Sequence, residues 1–533
     1  MAHVKRPRLE QSSDREHVKR PRLEQSSDRE HVKRPRLEQS SDREHVKRPR
    51  LEQSSDRNAV KIITSYHTAL HTFLETKYPE AISEHIKTLQ TKLEAFDDSG
   101  ITSEQENIIA PLMFSVRKLA IVVGEAGTGK TFIQSTLMKR CKQKNMPIKR
   151  LGPTHACLQN MKGSQTFQFF FGLVDKKFLD ISLAKVYVDE VVHKIRRHKF
   201  IQQGVIKPGI STIIIDEAFM IPAQLIDIVL HALEQIAPGK FRVLLFFDPM
   251  QLGPVSDDKN PTKPEIILHS KFMKDADVFV LTTNMRQSQE EKDFLFLLRH
   301  VARGEVDDEI YTMLKSRIPP KKDSVKYDIH ICATNETVHQ LNKKHLEELG
   351  TPCYTFTALD KDNVHGAKLA ASVSWAVGAK IIFDSSLNDV GLYNGMTGTI
   401  IATVKTNTDL ILPVIKIDVY DNMQIVVHPH TEIITNDKGD VTKGVRVQFP
   451  FAIAYAITVH KVQGKTIFGN VLVHLENMYT EGQMYTSMSR VTKLSHLWLQ
   501  NLPNPRPGYD GLYNLHVNEE SIAWARQVGM ITA

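Results

Sequence analysis

Short unbroken apolar runs recur through the middle of the chain, and each ends in a polar or glycine-rich loop. Leu119-Ala120-Ile121-Val122-Val123 leads into Gly124-Glu125-Ala126-Gly127-Thr128-Gly129-Lys130-Thr131, and Ser211-Thr212-Ile213-Ile214-Ile215 leads into Asp216-Glu217-Ala218-Phe219. Phe241 to Phe247 delivers Asp248-Pro249-Met250-Gln251, and Ile148 to Leu151 delivers Gly152-Pro153-Thr154-His155. Val278 to Leu281 and Ile329 to Cys332 repeat the pattern. Runs without alternation belong to strands covered on both faces, so the pattern predicts an α/β fold of parallel sheets with helical crossovers. That architecture gathers loops and ligands at the carboxyl edge of the sheet.

Other stretches have a different texture. Segments such as Gly398 to Val404 and Pro413 to Val419 alternate and are broken by Asn394-Gly395 and Asp437-Lys438-Gly439, which predicts a small antiparallel β module over 396–449. Helical spacing through Ile62, Tyr66, Leu70 and Phe73, then Ile82, Ile86, Leu89 and Leu93, predicts a two-helix appendage over 59–100. Thr102 to Gln105 carries the capping residues of a further helix. The boundaries that follow are a first sheet domain over 101–267, a second over 268–395 and 450–500, and a C-terminal extension over 501–533. Residues 3–58 are four copies of a fourteen-residue unit with Val and Leu as its apolar residues and a central proline, too little to bury, so a disordered arm is expected.

Charge changes the picture less than its total suggests. The net charge is +8, but residues 1–58 hold 16 Lys+Arg against 11 Asp+Glu, leaving 53 against 50 in the rest. A nucleic-acid site in the body must therefore be a local groove. The repeated Lys-Arg-Pro-Arg clusters read as nuclear-import signals or a phosphate-binding tail, and equally as a solvated duplicated tract. Aromatic and basic residues mix over 163–199, which suits base stacking, although most of those rings read as core. No apolar run is long enough to cross a bilayer, and the four cysteines lack zinc spacing, so a reduced intracellular setting is expected.

The chemistry concentrates at strand ends. Gly124 to Thr131 is G-x-x-x-x-G-K-T: its backbone cradles a polyphosphate, Lys130 reaches the outer phosphates and Thr131 offers a hydroxyl to magnesium. Asp216 is the expected magnesium partner and Glu217 the group that polarises the attacking water. Gln251 is placed to bond the terminal phosphate.

With these come Gln105, Gly152-Pro153-Thr154, Asn284-Met285-Arg286-Gln287, Tyr393 to Gly398, Ala456 to Thr466 and Tyr485 to Thr492, all in order. Over roughly 101 to 500 the chain resembles superfamily 1 DNA helicases of the RecD-like and PIF-type (petite integration frequency) branch. The resemblance implies two RecA-like domains with ATP and magnesium between them, Gln105 at the adenine, Gln463 and Gly464 at the nucleotide, and Arg286 and Arg490 as arginine fingers. It implies single-stranded and tailed duplex DNA as partners, held by Pro153, Thr154, His155, Thr334, Asn335, Thr458, His460 and Lys461. It further implies an SH3-like insertion at 396–449, a wedge-like insertion near 163–205, 5′ to 3′ movement, and work in DNA replication, recombination or repair. The chain departs from the family pattern at Phe247, Gly253, Phe219 and Gln168. A viral-type superfamily 1 RNA helicase and a DNA-stimulated translocase without unwinding remain open beside the helicase reading, and the residues specify no protein partner.

Overall fold

The computed structural model describes residues 100–531 apart from 115–116, 155–164, 174–183, 207–208, 256–262, 286–290, 321–324, 365–366, 388–391, 393, 419–422, 436–441 and 505–514. The repeats, and the appendage at 59–100 except Gly100, lie outside the described residues.

The first half builds one parallel sheet. Its elements are α1 (Ser103–Phe114), β1 (Leu119–Gly124), α2 (Lys130–Gln143), β2 (Ile148–Gly152), β3 (Gln165–Thr166), α3 (Phe167–Phe171), α4 (Ala184–Ile195), α5 (Lys199–Ile206), β4 (Ser211–Ile215), α6 (Ala223–Ile236), β5 (Phe241–Phe247) and β6 (Asp277–Leu281). Six strands stand in the order β3-β2-β4-β5-β1-β6. The unbroken apolar runs have the predicted cause. Ile121, Ile213 and Leu245 face one core, shared with α4 and α6, while Ala120, Ile214 and Leu244 face another, shared with α1 and α2. Alternate residues of one strand thus serve opposite layers, and both layers demand apolar side chains.

Two expectations need correction here. The first domain does not end near 267: β6 pairs in parallel with β1, Ala120 opposite Asp277 and Gly124 opposite Leu281, and closes the first sheet. A strand's periodicity predicts that it exists but carries no information about its distant partner. The segment near 163–205 is not set apart as an insertion in its described part, because β3 pairs with β2 and Phe167, Phe170 and Phe171 are buried in the main core.

The second half opens with α7 (Lys292–Arg303), α8 (Asp308–Lys315), β7 (Ile329–Cys332) and α9 (Asn335–Glu348). An antiparallel region follows: β8 (Cys353–Thr357), β9 (Leu359–Asp362), β10 (Ser372–Ala376), β11 (Lys380–Phe383), β12 (Thr397–Lys405), β13 (Ile411–Ile417), β14 (Gln424–Val426), β15 (His430–Thr435), β16 (Thr442–Gln448) and β17 (Phe451–Ile453). These form sheets β14-β13-β12-β11-β17, β15-β16-β9 and β10-β8. The region expected to be antiparallel, 396–449, therefore recruits strands from as far back as Cys353, in a stretch expected to belong to the parallel domain. The chain then returns through β18 (Ala456–Thr458), α10 (Val459–Val462), β19 (Val471–His474), α11 (Gln483–Met488) and β20 (Leu497–Gln500), giving a parallel sheet β18-β7-β19-β20.

The C-terminal helix α12 (Glu519–Gln527) crosses back to the first sheet. Its Trp524 stacks on Phe247 with centroids 6.0 Å apart, and Phe247 stacks on Phe219 at 5.8 Å. Two of the positions that depart from the family pattern are thus joined in one column of rings. Among the described residues no helix is long and apolar enough to cross a membrane.

Candidate active site

The phosphate loop leaves β1 at Gly124 and turns on two left-handed glycines, Gly127 at φ 93° and Gly129 at φ 85°. Glycine adopts that conformation without the steric cost other residues bear. At Gly124 a Cβ would stand 2.5 Å from Thr128 Oγ1, so the loop closes on itself only because no side chain is present. Helix α2 begins at Lys130 and directs its first amides, and the positive end of its dipole, toward the loop. Lys130 Nζ donates to the carbonyls of Gly124 at 2.7 Å and Glu125 at 3.0 Å, and Thr131 is exposed beside it. Glu125 is tied to Arg299 of α7 at 2.9 Å; burial raises its carboxyl pKa and Arg299 opposes the rise. Gln105 caps α1 reciprocally with Thr102, both bonds 3.2 Å, and lies against Gly129, where a Cβ would meet its Nε2 at 2.5 Å.

The two carboxylates sit where β4 stops. Asp216 accepts from Gln134 Nε2 at 2.7 Å, from the Glu217 amide at 3.0 Å and from the buried Arg150 guanidinium. Glu217 holds φ at 47°, a left-handed conformation unusual for a residue with a side chain and a place where backbone strain is stored. Burial foremost, then the Asp216 charge, raises the Glu217 pKa, while Lys130 and Arg490 pull it back.

The second sheet domain completes the cleft. Gln463 Nε2 donates to Glu217 Oε2 at 3.4 Å, with Gly464 next to it in a left-handed turn at φ 78°. Arg490 is 1% exposed; its Nη2 donates to Gln251 Oε1 at 3.3 Å and its Nε to the Thr486 carbonyl at 2.7 Å. Gln251 Nε2 in turn donates to Asp248 Oδ2 at 3.1 Å. Lys130, Asp216, Glu217, Gln251, Gln463 and Arg490 thus line one interface between the sheets. Arg286 lies outside the described residues, but Asn284 Nδ2 donates to the Ala126 carbonyl at 2.9 Å and the Met285 amide to Gly127 O at 2.8 Å, which holds the preceding residues against the loop.

The candidate nucleic-acid residues occupy the carboxyl edges of the sheets. Pro153 and Thr154 follow β2, and His155 lies outside the described residues. Thr334 caps α9, accepting from the Thr337 amide at 3.3 Å, and Asn335 is exposed in the first turn. Thr458 ends β18 in register with Cys332 of β7, which brings His460 and Lys461 to the same edge. Burial lowers the His460 pKa, keeping it neutral, and Lys461 Nζ stands 3.5 Å from Asp384.

Sequence reasoning missed Gln134, Arg150, Arg299 and the hydroxyl of Tyr485. That hydroxyl donates to Asp248 Oδ2 at 2.9 Å and accepts from the Ala126 amide at 3.2 Å. Arg150 left a signal, a charge inside a strand otherwise bound for the core, and Tyr485 stood at the head of an ordered motif without a role assigned to its hydroxyl; Gln134 and Arg299 left none.

A family model described as an AAA domain matches residues 100–317. A Campylobacter jejuni protein named ATP-dependent DNA helicase Pif1 is 27% identical over 400 residues, covering 69% of this chain and 86% of that protein. The crystal structure of Pif1 helicase from Candida albicans is similar with a TM-score of 0.67 at 20% identity, over 80% of this chain and 99% of that one. Over most of its length the chain is similar to PIF-type helicases of superfamily 1. The two parallel sheets of the chain are two RecA-like domains. ATP-dependent DNA helicase PIF7 of Trypanosoma brucei brucei is 23% identical over 479 residues, 76% of this chain but 46% of that protein, so this chain spans less than half of that relative's length.

Proposed function

We propose that the protein is an ATP-dependent DNA helicase that hydrolyses ATP between its two RecA-like domains and moves 5′ to 3′ along single-stranded DNA. The observation that carries this reading is the meeting of Lys130, Glu217 and Gln251 from one domain with Gln463 and Arg490 from the other. A guanidinium that reaches the site only across a domain boundary stabilises developing phosphoryl charge only while the cleft is closed. Similarity to a relative named as a DNA helicase supports DNA as the substrate.

In this scheme the phosphate-loop amides and Lys130 hold the outer phosphates, and Glu217, ionised, accepts a proton from the attacking water. Gln251 senses the terminal phosphate; Arg490 bears on it from the second domain, and Arg286 acts with it as a second arginine finger. Gln105, Gln463 and Gly464 hold the nucleotide. The hydroxyl of Thr131 and the carboxylate of Asp216 are hard oxygen donors suited to magnesium, which binds through few protein ligands and substrate phosphates. Bound there, magnesium would neutralise phosphate charge. Closure and opening of the cleft then change the spacing of Pro153, Thr154 and His155 relative to Thr334, Asn335, Thr458, His460 and Lys461, and a strand held by both sets is ratcheted. The antiparallel module around 396–449 is read as the SH3-like insertion. The basic repeats are read as nuclear-import signals, for which loss of nuclear accumulation on deleting 1–58 is the check.

Tailed duplexes of both polarities and both sugars test the reading directly. Strand release from a 5′-tailed DNA duplex with ATP is expected. Release only from 3′-tailed DNA would reverse the direction, release only from RNA would replace the substrate, and stimulated hydrolysis without release would leave a translocase.

A further inference from the structure

Three elements converge on the Tyr485 hydroxyl: the phosphate loop through the Ala126 amide, the turn after β5 through Asp248, and α11, which carries the tyrosine itself and leads directly to Arg490. The side chain is 3% exposed, and its oxygen acts at once as acceptor, from Ala126 N at 3.2 Å, and donor, to Asp248 Oδ2 at 2.9 Å. Burial and the Asp248 charge raise the Tyr485 pKa well above its ordinary value, so the donor proton is retained.

Other contacts dock α11 on the turn after β5. The Leu252 amide donates to Thr486 Oγ1 at 3.1 Å, Arg490 donates to Gln251 at 3.3 Å, and Gly482 rests so closely on Gln251 that a Cβ would fall 2.8 Å from its backbone. Tyr485 adds the phosphate loop to that set. Opening the cleft would strip a partner from the buried Asp248 carboxylate and from a loop amide together, and buried groups left without partners are costly.

We propose that Tyr485 is a positioning residue for phosphoryl transfer, its hydroxyl locking α11 to the phosphate loop so that Arg490 is aligned only when the loop is in its phosphate-holding shape. This rests on the ATPase reading above. Tyr485 touches no phosphate; it acts through the loop and through Arg490. The cost of losing it therefore falls on the transition state and not on nucleotide binding.

The test is Tyr485→Phe, which keeps the ring and removes the oxygen. With saturating single-stranded DNA, kcat is expected to fall about tenfold while KM for ATP stays within about twofold. Affinity for ADP should stay within about twofold, whereas affinity for ADP with aluminium fluoride should fall about tenfold. In an Arg490→Ala background the same substitution should add no further loss of aluminium-fluoride affinity, the non-additivity expected of residues acting through one another. Asp248→Ala removes the acceptor from the other side and should give the same pattern if Tyr485→Phe proves unstable. Unchanged kcat, an equal fall in ADP affinity, or full additivity with Arg490→Ala would overturn the proposal. A wild-type protein without ATPase activity in the same assay would reject the parent reading, whereas an active wild type with an indifferent Tyr485→Phe would reject only this one.

Discussion

As the proposed general base, Glu217 is asked to satisfy two opposed requirements. A general base must be ionised, yet burial and the neighbouring Asp216 favour the protonated form and raise its pKa above 4.5. A carboxyl with a raised folded pKa binds its proton more tightly in the fold than in the unfolded chain, so stability declines as pH rises from the unfolded pKa through the folded one. Glu217→Gln should therefore lower kcat by about 10²–10⁴-fold while its melting temperature at pH 8 equals or exceeds that of the wild type; a clearly lower melting temperature would contradict this. The acid limb of the wild-type pH profile for kcat should lie above the ordinary carboxylate value of 4.5 for the same reason. Much of this site was legible in the sequence because it is local: a phosphate loop, or an Asp-Glu pair at the end of an apolar strand, is complete within a dozen or so residues. The Tyr485 hydroxyl was not. An aromatic on an apolar helix reads as core, and only distant chain segments decide whether its oxygen has work to do.

At the scale of single elements, the strands of the second sheet carry a cluster of imidazoles. His330 on β7 and His474 on β19 share a hydrogen bond of 2.9 Å, Nδ1 to Nε2, and the His345 ring on α9 lies 5.0 Å from that of His330. Burial first, then the neighbouring charges of His474, His345, Lys344 and Lys380, lowers the His330 pKa to about 3. Glu348 and Glu476 oppose the same effect at His345 and His474, and the Tyr327 and Tyr455 rings pack against the cluster. A histidine depressed in the fold is protonated first in the unfolded chain, so the stability it allows at neutral pH is lost as pH falls from about 6.5 toward 3. Each pH unit in that window should cost the second sheet roughly 1.4 kcal/mol per proton. Thermal unfolding at pH 7 and pH 5 should show that slope, and His330→Asn should flatten it; an unchanged slope in the variant would remove His330 as its source. The strands themselves were readable from their apolar runs. Their partners were not: β6 and β7 look alike in sequence, but one closes the first sheet and the other centres the second, a distinction written in contacts more than a hundred residues away.

For the whole molecule, the decisive property is that side chains of both domains meet in the cleft, from which the proposed chemistry is drawn. Arg490→Ala should reduce kcat by about 10³-fold or more with ADP affinity within a few-fold, as measured by stopped hydrolysis and nucleotide titration; a matching loss of ADP affinity would make the residue a binding group. The two-domain plan was legible because ordered motifs fall on successive strand ends. The antiparallel region was legible only in part, since β8 to β11 join it from sequence that lacks its hairpin signals. The ring column of Phe219, Phe247 and Trp524 has an optical consequence. The chain holds three tryptophans. Trp375 is buried in the antiparallel region, Trp498 lies on β20 with the Arg317 guanidinium 5.7 Å from its ring, and Trp524 leans on the strand that delivers Asp248. Each structural region thus carries its own lamp. With Trp375 and Trp498 both changed to Phe, emission should come from Trp524 alone and shift when nucleotide binds. Phe247→Gly, which restores the residue usual in the family, should move that emission to the red and uncouple it from ADP.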